Sequence, residues 1–563
     1  MDHPSLTPSL NIVEFLHDLA ARGESLALVE GNLQYSTPDS VPNPTTVSAI
    51  RAHRQALVGW LGERDAAVPF ALSAGQQGLW MAWRLDPDSP VYNIALVARL
   101  QESVDAQALQ AAFQTLADRH PALRTRYGRG CEDAPLQRVD GAFRITLQEI
   151  DGRGWSREEV AQWSAAEADR PFDLENGPLM RLVLLHATGA DGTPERLLHW
   201  TLHHIASDFL SQEILIDELE VLYGAVRQGR TPDLPAPVLG YRDFVRWEQD
   251  TLSGEGEALR NWWHDRVAHW PPAAALPADL APVDSGEGIY RAATLSLAVE
   301  AGLTADLRAL ARAQRVSFFT LLLTGWQIVL ARYTGRERFI LTTPTSMRHL
   351  SGWDHAAGYY INPLCLEANL GGAPSVADLL ARVQASLGDV FAHQGFPFQE
   401  VLRLARSAGA GEPGFGFILD TASAPASAPS VFADIPLNGQ RGTLEPVSLS
   451  MYDMGGDLSG QITYDASRYA PATMQRLADA LHTVLCAMAE DAERPVIDLP
   501  LVDTATRAHP HAVERAGRGA GRAGAVFPAH PLPAAGRAHA AHRGADRDWG
   551  GWPRRGRYHL CRA

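Results

Sequence analysis

Two adjacent histidines and an aspartate, in Leu202-His203-His204-Ile205-Ala206-Ser207-Asp208-Phe209, are the residues of this chain best suited to acid–base chemistry. Neighbours along a strand point to opposite faces, so His203 and His204 cannot easily share one metal ion; one faces inward and one outward. Asp208 falls where the chain turns into a helix, suited to capping the helix N-terminus or pairing with a buried Arg. The segment alone allows two readings: a histidine placed to move a proton, or two structural histidines with a capping Asp.

The elements around it give a strand-to-helix turn. Leu197 to Leu202 is an apolar strand, and Leu215, Leu219 and Leu222 recur at helical spacing after it. Val104, Leu109, Phe113 and Leu116 form another helical stripe. From Pro69 onward strand-like and helix-like segments alternate, which predicts an α/β or α+β fold. The run Val316 to Tyr333 is broken by Thr320, Thr324 and Gln327 and is shorter than the ~20 residues that cross a bilayer. It reads as a buried helix over Phe318 to Ala331, followed by Gly335 and a strand over Phe339 to Thr343.

Composition removes several classes of function. The chain has 563 residues, 46% hydrophobic and 20% charged, with a net charge of −16, which suits three or four globular domains. An acidic body is a poor nucleic-acid partner. Cys131, Cys365, Cys486 and Cys561 lie far apart, which argues against a zinc site or disulfide framework and for a reducing, cytoplasmic setting. Met1 to Pro4 lacks the basic start of a secretory leader, and no membrane partner is expected. Nothing resembles a Walker loop, a dinucleotide glycine fingerprint or a metal-ligand cluster, so no cofactor is expected to bind directly. All 49 basic residues are Arg, and residues 507–563 hold 11 of them against Glu514, Asp546 and Asp548. That stretch has no apolar period, and residues 506–563 read as a disordered, frameshifted tail.

The front of the chain, residues 1–62, reads as a small α/β module. Ile12, Phe15, Leu16 and Leu19 give a helix ending near Gly23; Leu26 to Val29 and Leu33 to Tyr35 flank the turn residues Glu30, Gly31 and Asn32; Val47 to Leu61 gives a last helix. A short exposed hairpin offers an edge on which a partner peptide can add a strand. This order resembles the tubulysin-type N-terminal docking domains of peptide and polyketide synthases.

The remainder resembles the condensation domains of nonribosomal peptide synthetases, whose signature HHxxxDG matches His203 to Phe209 with Phe in place of Gly. Leu72-Ser73-Ala74-Gly75-Gln76-Gln77-Gly78-Leu79-Trp80 is similar to S-x-A-Q-x-R-L-W, and Arg119-His120-Pro121-Ala122-Leu123-Arg124-Thr125 to R-H-E-x-L-R-T. Pro171-Phe172-Asp173-Leu174, Tyr241-Arg242-Asp243-Phe244 with Trp247, Gly358-Tyr359-Tyr360-Ile361-Asn362 and His393-Gln394-Gly395-Phe396-Pro397-Phe398 match further motifs in family order. The family's Arg-rich motif is missing around Ser407 to Phe415.

The resemblance implies two chloramphenicol-acetyltransferase-like lobes in a V-shaped pseudodimer, at 69–245 and 246–505, with the histidine motif at their seam. It also implies amide formation between an upstream carrier-bound acyl or peptidyl thioester and a downstream aminoacyl thioester, both delivered on 4′-phosphopantetheine arms of partner carrier proteins. The candidate catalytic residues are His204, His203 and Asp208. Of these, His204 is the group that takes the amine proton or stabilises the tetrahedral intermediate, and His203 is scaffold. Arg348 is expected to pair with Asp208; Ser207, Phe209, Tyr359 and Asn362 are expected to line the tunnel. Phe209 also points to a donor from a polyketide module. The front module would bind a C-terminal docking segment of an upstream subunit. Other readings are an ester-forming relative and an inert assembly remnant of a truncated synthetase; heterocyclisation lacks its DxxxxDxxS pattern, and epimerising relatives normally follow a carrier domain.

Overall fold

The computed structural model describes residues 12–29, 32–38, 41–62, 68–130, 134–141, 143–189, 192–235, 239–280, 292–349, 353–421, 431–434, 439–440, 445–453 and 458–502. The hairpin residues Glu30 and Gly31, Cys131, Cys561, Met1 to Pro4 and the tail 506–563 lie outside them.

In the front module a helix, Ile12–Ala21, is followed by the antiparallel strands Ser25–Val29 and Asn32–Ser36. Gly23 takes φ +71°, the left-handed conformation that lets the helix end abruptly. The expected last helix is two, Pro44–Ala52 and Arg54–Gly62. His53 separates them, with φ −112° and ψ 21° outside the helical region. Leu57 and Trp60 on the second helix are buried in one apolar cluster with Leu72, Leu79 and Trp80 of the body. Trp60 Nε1 donates to Asp243 Oδ1 at 3.0 Å, and the Arg246 guanidinium stacks 4.2 Å from the Trp60 ring. The module is therefore seated on the helix Tyr241–Gly254.

Each lobe is built on its own mixed sheet. The first orders its strands Phe432–Asp434, Asn93–Leu100, Pro194–His203, Met180–Thr188 and Leu147–Asp151, and the helices Ala106–Arg119 and Phe209–Gln228 pack with it. The second orders Ala292–Val299, Leu458–Asp465, Val447–Asp453, Phe415–Thr421, Arg338–Ser346 and Ile361–Asn369. The expected buried helix forms as Phe318–Thr334 and stops at Gly335, φ +67°.

Period-2 alternation explains how the second sheet covers two different surroundings. In Val447-Ser448-Leu449-Ser450-Met451-Tyr452, the residues Val447, Leu449 and Met451 join the core beneath the helices. Ser448, Ser450 and Tyr452 face the opposite way, into an internal cavity.

The lobes exchange chain. Phe432–Asp434 comes from the second half but pairs with Asn93–Leu100 of the first sheet, and the Phe432 ring is fully buried there. Val431 N–H donates to the Glu220 carboxylate at 3.1 Å. The helix Tyr241–Gly254 runs through the expected boundary at residue 245, so no exposed link separates the halves at that point.

Candidate functional site

Strand Pro194–His203 of the first lobe ends in a short 3-10 turn, His204–Ala206; strand Arg338–Ser346 of the second ends the same way in Met347–His349. These matching turns bring His204 and Arg348 to the seam. His203 is buried, its ring 5.9 Å from Phe172 and 6.2 Å from Tyr92, and its Nδ1 accepts the Ile205 N–H at 3.1 Å. Burial pulls its pKa down to about 3, so it is a neutral core histidine.

His204 turns the other way and lines a cavity of about 400 Å³ between the lobes. Its Nδ1 lies 2.8 Å from the Ser207 carbonyl oxygen. A carbonyl can only accept, so Nδ1 carries the proton of the neutral ring and Nε2 keeps its lone pair. Burial lowers the His204 pKa below the usual histidine range, against the opposing pull of Asp208. The Tyr359 ring meets His204 edge-on at 5.3 Å and also lines the cavity.

Asp208 is almost wholly buried and receives four donors. Ser211 N and Oγ lie 2.8 and 2.7 Å from Oδ1, while Arg348 Nη1 and Tyr360 N lie 2.6 and 3.0 Å from Oδ2. Asp208 thus caps the helix Phe209–Gln228 and ties it to the second lobe. Burial works to raise its pKa, but the Arg348 charge and these hydrogen bonds outweigh it and hold the carboxyl below its ordinary value. Arg348 also donates to Ser211 Oγ at 2.7 Å and the Ala356 carbonyl at 3.0 Å. The expected Arg348–Asp208 pair is present.

Two expected lining residues are placed differently. Ser207 is fully buried, away from the cavity wall, and acts on the site through its carbonyl. Asn362 spends its amide on the backbone: Nδ2 donates to the Gln394 and Phe396 carbonyls at 2.8 and 2.9 Å, and Oδ1 accepts the Phe398 N–H at 2.9 Å. It braces the Gln394–Phe398 turn, because a short amide among unpaired backbone groups is satisfied there first. Phe209 does line the cavity, as the first residue of its helix. Glycine is not demanded there: among the described residues only Arg315 and Ala373 are non-glycine residues with positive φ.

Sequence reasoning missed Ser211, whose Oγ bridges the lobes by accepting the Gly358 N–H at 3.0 Å. It also missed Gln212, Asp420 and Glu445 in the cavity wall. The signal available was the polar alternation in Val447 to Tyr452, which does not fit a strand buried on both faces in an apolar core.

The condensation-domain family model matches residues 69–509. The chain belongs to this family. It is 30% identical over 457 residues to a linear gramicidin synthase protein of Brevibacillus parabrevis, covering 79% of this chain and 6% of that protein. It is 27% identical over 457 residues to phosphinothricin tripeptide synthetase PhsB of Streptomyces viridochromogenes, covering 79% and 38%. The condensation domain here thus spans well under half of these relatives. Among solved structures, the first condensation domain of the calcium-dependent antibiotic synthetase superposes with TM-score 0.66 at 20% identity, covering 78% of this chain and 100% of that one. The X-domain from teicoplanin biosynthesis, in its complex with OxyB, gives 0.67 at 24%, covering 77% and 96%. Both share the mixed helix-and-sheet fold. Among the described residues no single helix is long and apolar enough to cross a membrane.

Proposed function

We propose that this chain forms an amide between an upstream carrier-bound acyl or peptidyl thioester and the α-amine of a downstream carrier-bound aminoacyl thioester. The observation that carries this reading is the fixed tautomer of His204, whose Nε2 lone pair belongs to the ring that lines the seam cavity. The amine nitrogen attacks the thioester carbonyl, a proton leaves it, and the C–S bond breaks to release the upstream pantetheine thiol. An α-amine has an ordinary pKa near ~8 and a thioester is already activated, so a weak base suffices. A neutral His204 bearing its proton on Nδ1 can accept from the amine but has no Nε2 proton to give an oxyanion. This favours proton acceptance over oxyanion stabilisation. Holding two tethered substrates together contributes more, up to roughly 7–11 kcal/mol. His203 and Asp208 act as positioning residues.

We further read the front module as a docking domain for a C-terminal segment of an upstream subunit. Support comes from its two-stranded sheet, in which each described strand has one neighbour and therefore one unpaired edge. Carrier proteins with phosphopantetheine arms are the partners of the cavity, in a cytoplasmic setting; neither nucleic acid nor membrane is a partner.

Intact-mass analysis tests the reaction. A downstream carrier loaded with an amino acid is mixed with a loaded upstream carrier and this chain. The acceptor gains the donor acyl mass, and His204→Ala abolishes the gain. No transfer across a panel of donors and acceptors, or full transfer by His204→Ala, overturns the reading.

A further inference from the structure

Part of the cavity wall contributed by the second sheet is polar. Strand Phe415–Thr421 presents Asp420, its neighbour in register is Tyr452, and the next strand adds Gln461 and Thr463. Asp420 is partly buried and forms no ion pair among the described residues. Burial and the nearby Glu213 carboxylate push its pKa up to about 7. Glu445 lines the same space and is bonded to Thr342 Oγ1. No Arg lines the cavity among the described residues, and Arg348 is spent on Asp208.

A second observation points to a ligand. Gln212, on the helix that Asp208 caps, is 6% exposed and lines this cavity, yet its side-chain amide has no hydrogen-bond partner among the described residues. An amide that opens into the cavity without a protein partner has both its donors and its acceptor available to a ligand placed there. The wall therefore combines carboxylates, an amide open to a ligand, and hydroxyls, with no Arg among its described residues.

We propose that this compartment recognises a substrate unit carrying a cationic side chain, with Asp420 as the specificity-determining carboxylate and Gln212 as a supporting contact. This rests on the condensation reading for the identity of the occupant. An ammonium or guanidinium group would complete a charge-assisted hydrogen bond with Asp420, and an acidic side chain would be repelled. The unit belongs to either the donor or the acceptor, because both thioesters meet in this cavity.

Binding without turnover tests this separately from catalysis. Calorimetric titration of the full chain uses pantetheine amides of lysine, norleucine and glutamate, which cannot transfer. One set has a free α-amine as the acceptor mimic, and one is N-acetylated as the donor mimic. In one set the lysyl amide binds about tenfold or more tighter than the norleucyl amide, and the glutamyl amide binds weakest. Asp420→Asn, nearly isosteric, collapses the lysyl preference to near unity, and Gln212→Met lowers lysyl affinity several-fold. Equal lysyl and norleucyl affinity in both sets, no lysyl binding, or a preference unchanged in Asp420→Asn overturns the proposal. A chain that fails to condense but keeps the Asp420-dependent preference refutes only the reaction.

Discussion

Replacing Asp208 with Asn should weaken the seam more than any comparable surface change. The two side chains of the pair are 2% and 5% exposed, so their charges are desolvated together. An Asn that keeps its oxygen toward Ser211 must turn its NH₂ toward Arg348 Nη1 and Tyr360 N–H, setting donor against donors where Asp208 Oδ2 accepted at 2.6 and 3.0 Å. Leaving a buried charge without its partner costs about 3–5 kcal/mol. Arg348→Met leaves the carboxylate buried with three of its four donors and costs a similar amount. The double variant removes both charges, so its loss should fall short of the sum of the singles by at least about 2 kcal/mol. Urea unfolding followed by intrinsic fluorescence measures all three. Because the Asp208 pKa is depressed in the folded state, its contribution is complete above ~4 and fades as pH falls through the folded value. Strict additivity of the two singles, or an Asp208→Asn protein as stable as its parent, refutes this reasoning.

Three further outcomes follow from the geometry. The His204 imidazole should titrate only below the usual histidine range of ~6.5, since burial lowers that pKa; a His204 ring that titrates above ~7 when followed by NMR contradicts the assigned neutral state. His199 and His203, with pKa values down to about 4 and about 3, stay neutral when folded while the unfolded chain takes up protons below ~6.5. Stability should therefore fall as pH drops toward 4, each group approaching a slope of about 1.4 kcal/mol per pH unit, as read from urea midpoints in a pH series. Trp60→Ala removes a buried indole and its bond to Asp243, about 3–5 kcal/mol of packing. Hydrogen exchange in Arg54–Gly62 should then rise well before exchange in the sheets, and unchanged protection there would show that the module is held by other contacts.

Local pattern carried much of the architecture. Apolar runs with clear period announced the helix Phe318–Thr334, its stop at Gly335, the strand leading to His203 and the front hairpin, because these elements are decided by burial of one face and by glycine at a positive φ. The last front helix was harder to read. Its apolar spacing runs through His53, whose non-helical backbone divides it.

Strand alternation predicted from the linear chain that His203 and His204 face opposite ways, and they do, although His204 lies in the 3-10 turn just past the strand; the chain also predicted that an acid at Asp208 would cap the following helix. It could not determine which histidine met the cavity, nor that the Ser207 carbonyl would choose the His204 tautomer. Those depend on where strand Pro194–His203 sits in its sheet and on how the 3-10 turn folds back. The same limit explains Asn362, whose amide satisfies backbone groups of the Gln394–Phe398 turn that no spacing rule connects to it. It explains Asp420 and Gln212 as well: they lie more than two hundred residues apart, and only the packing of one lobe against the other makes them walls of a single cavity.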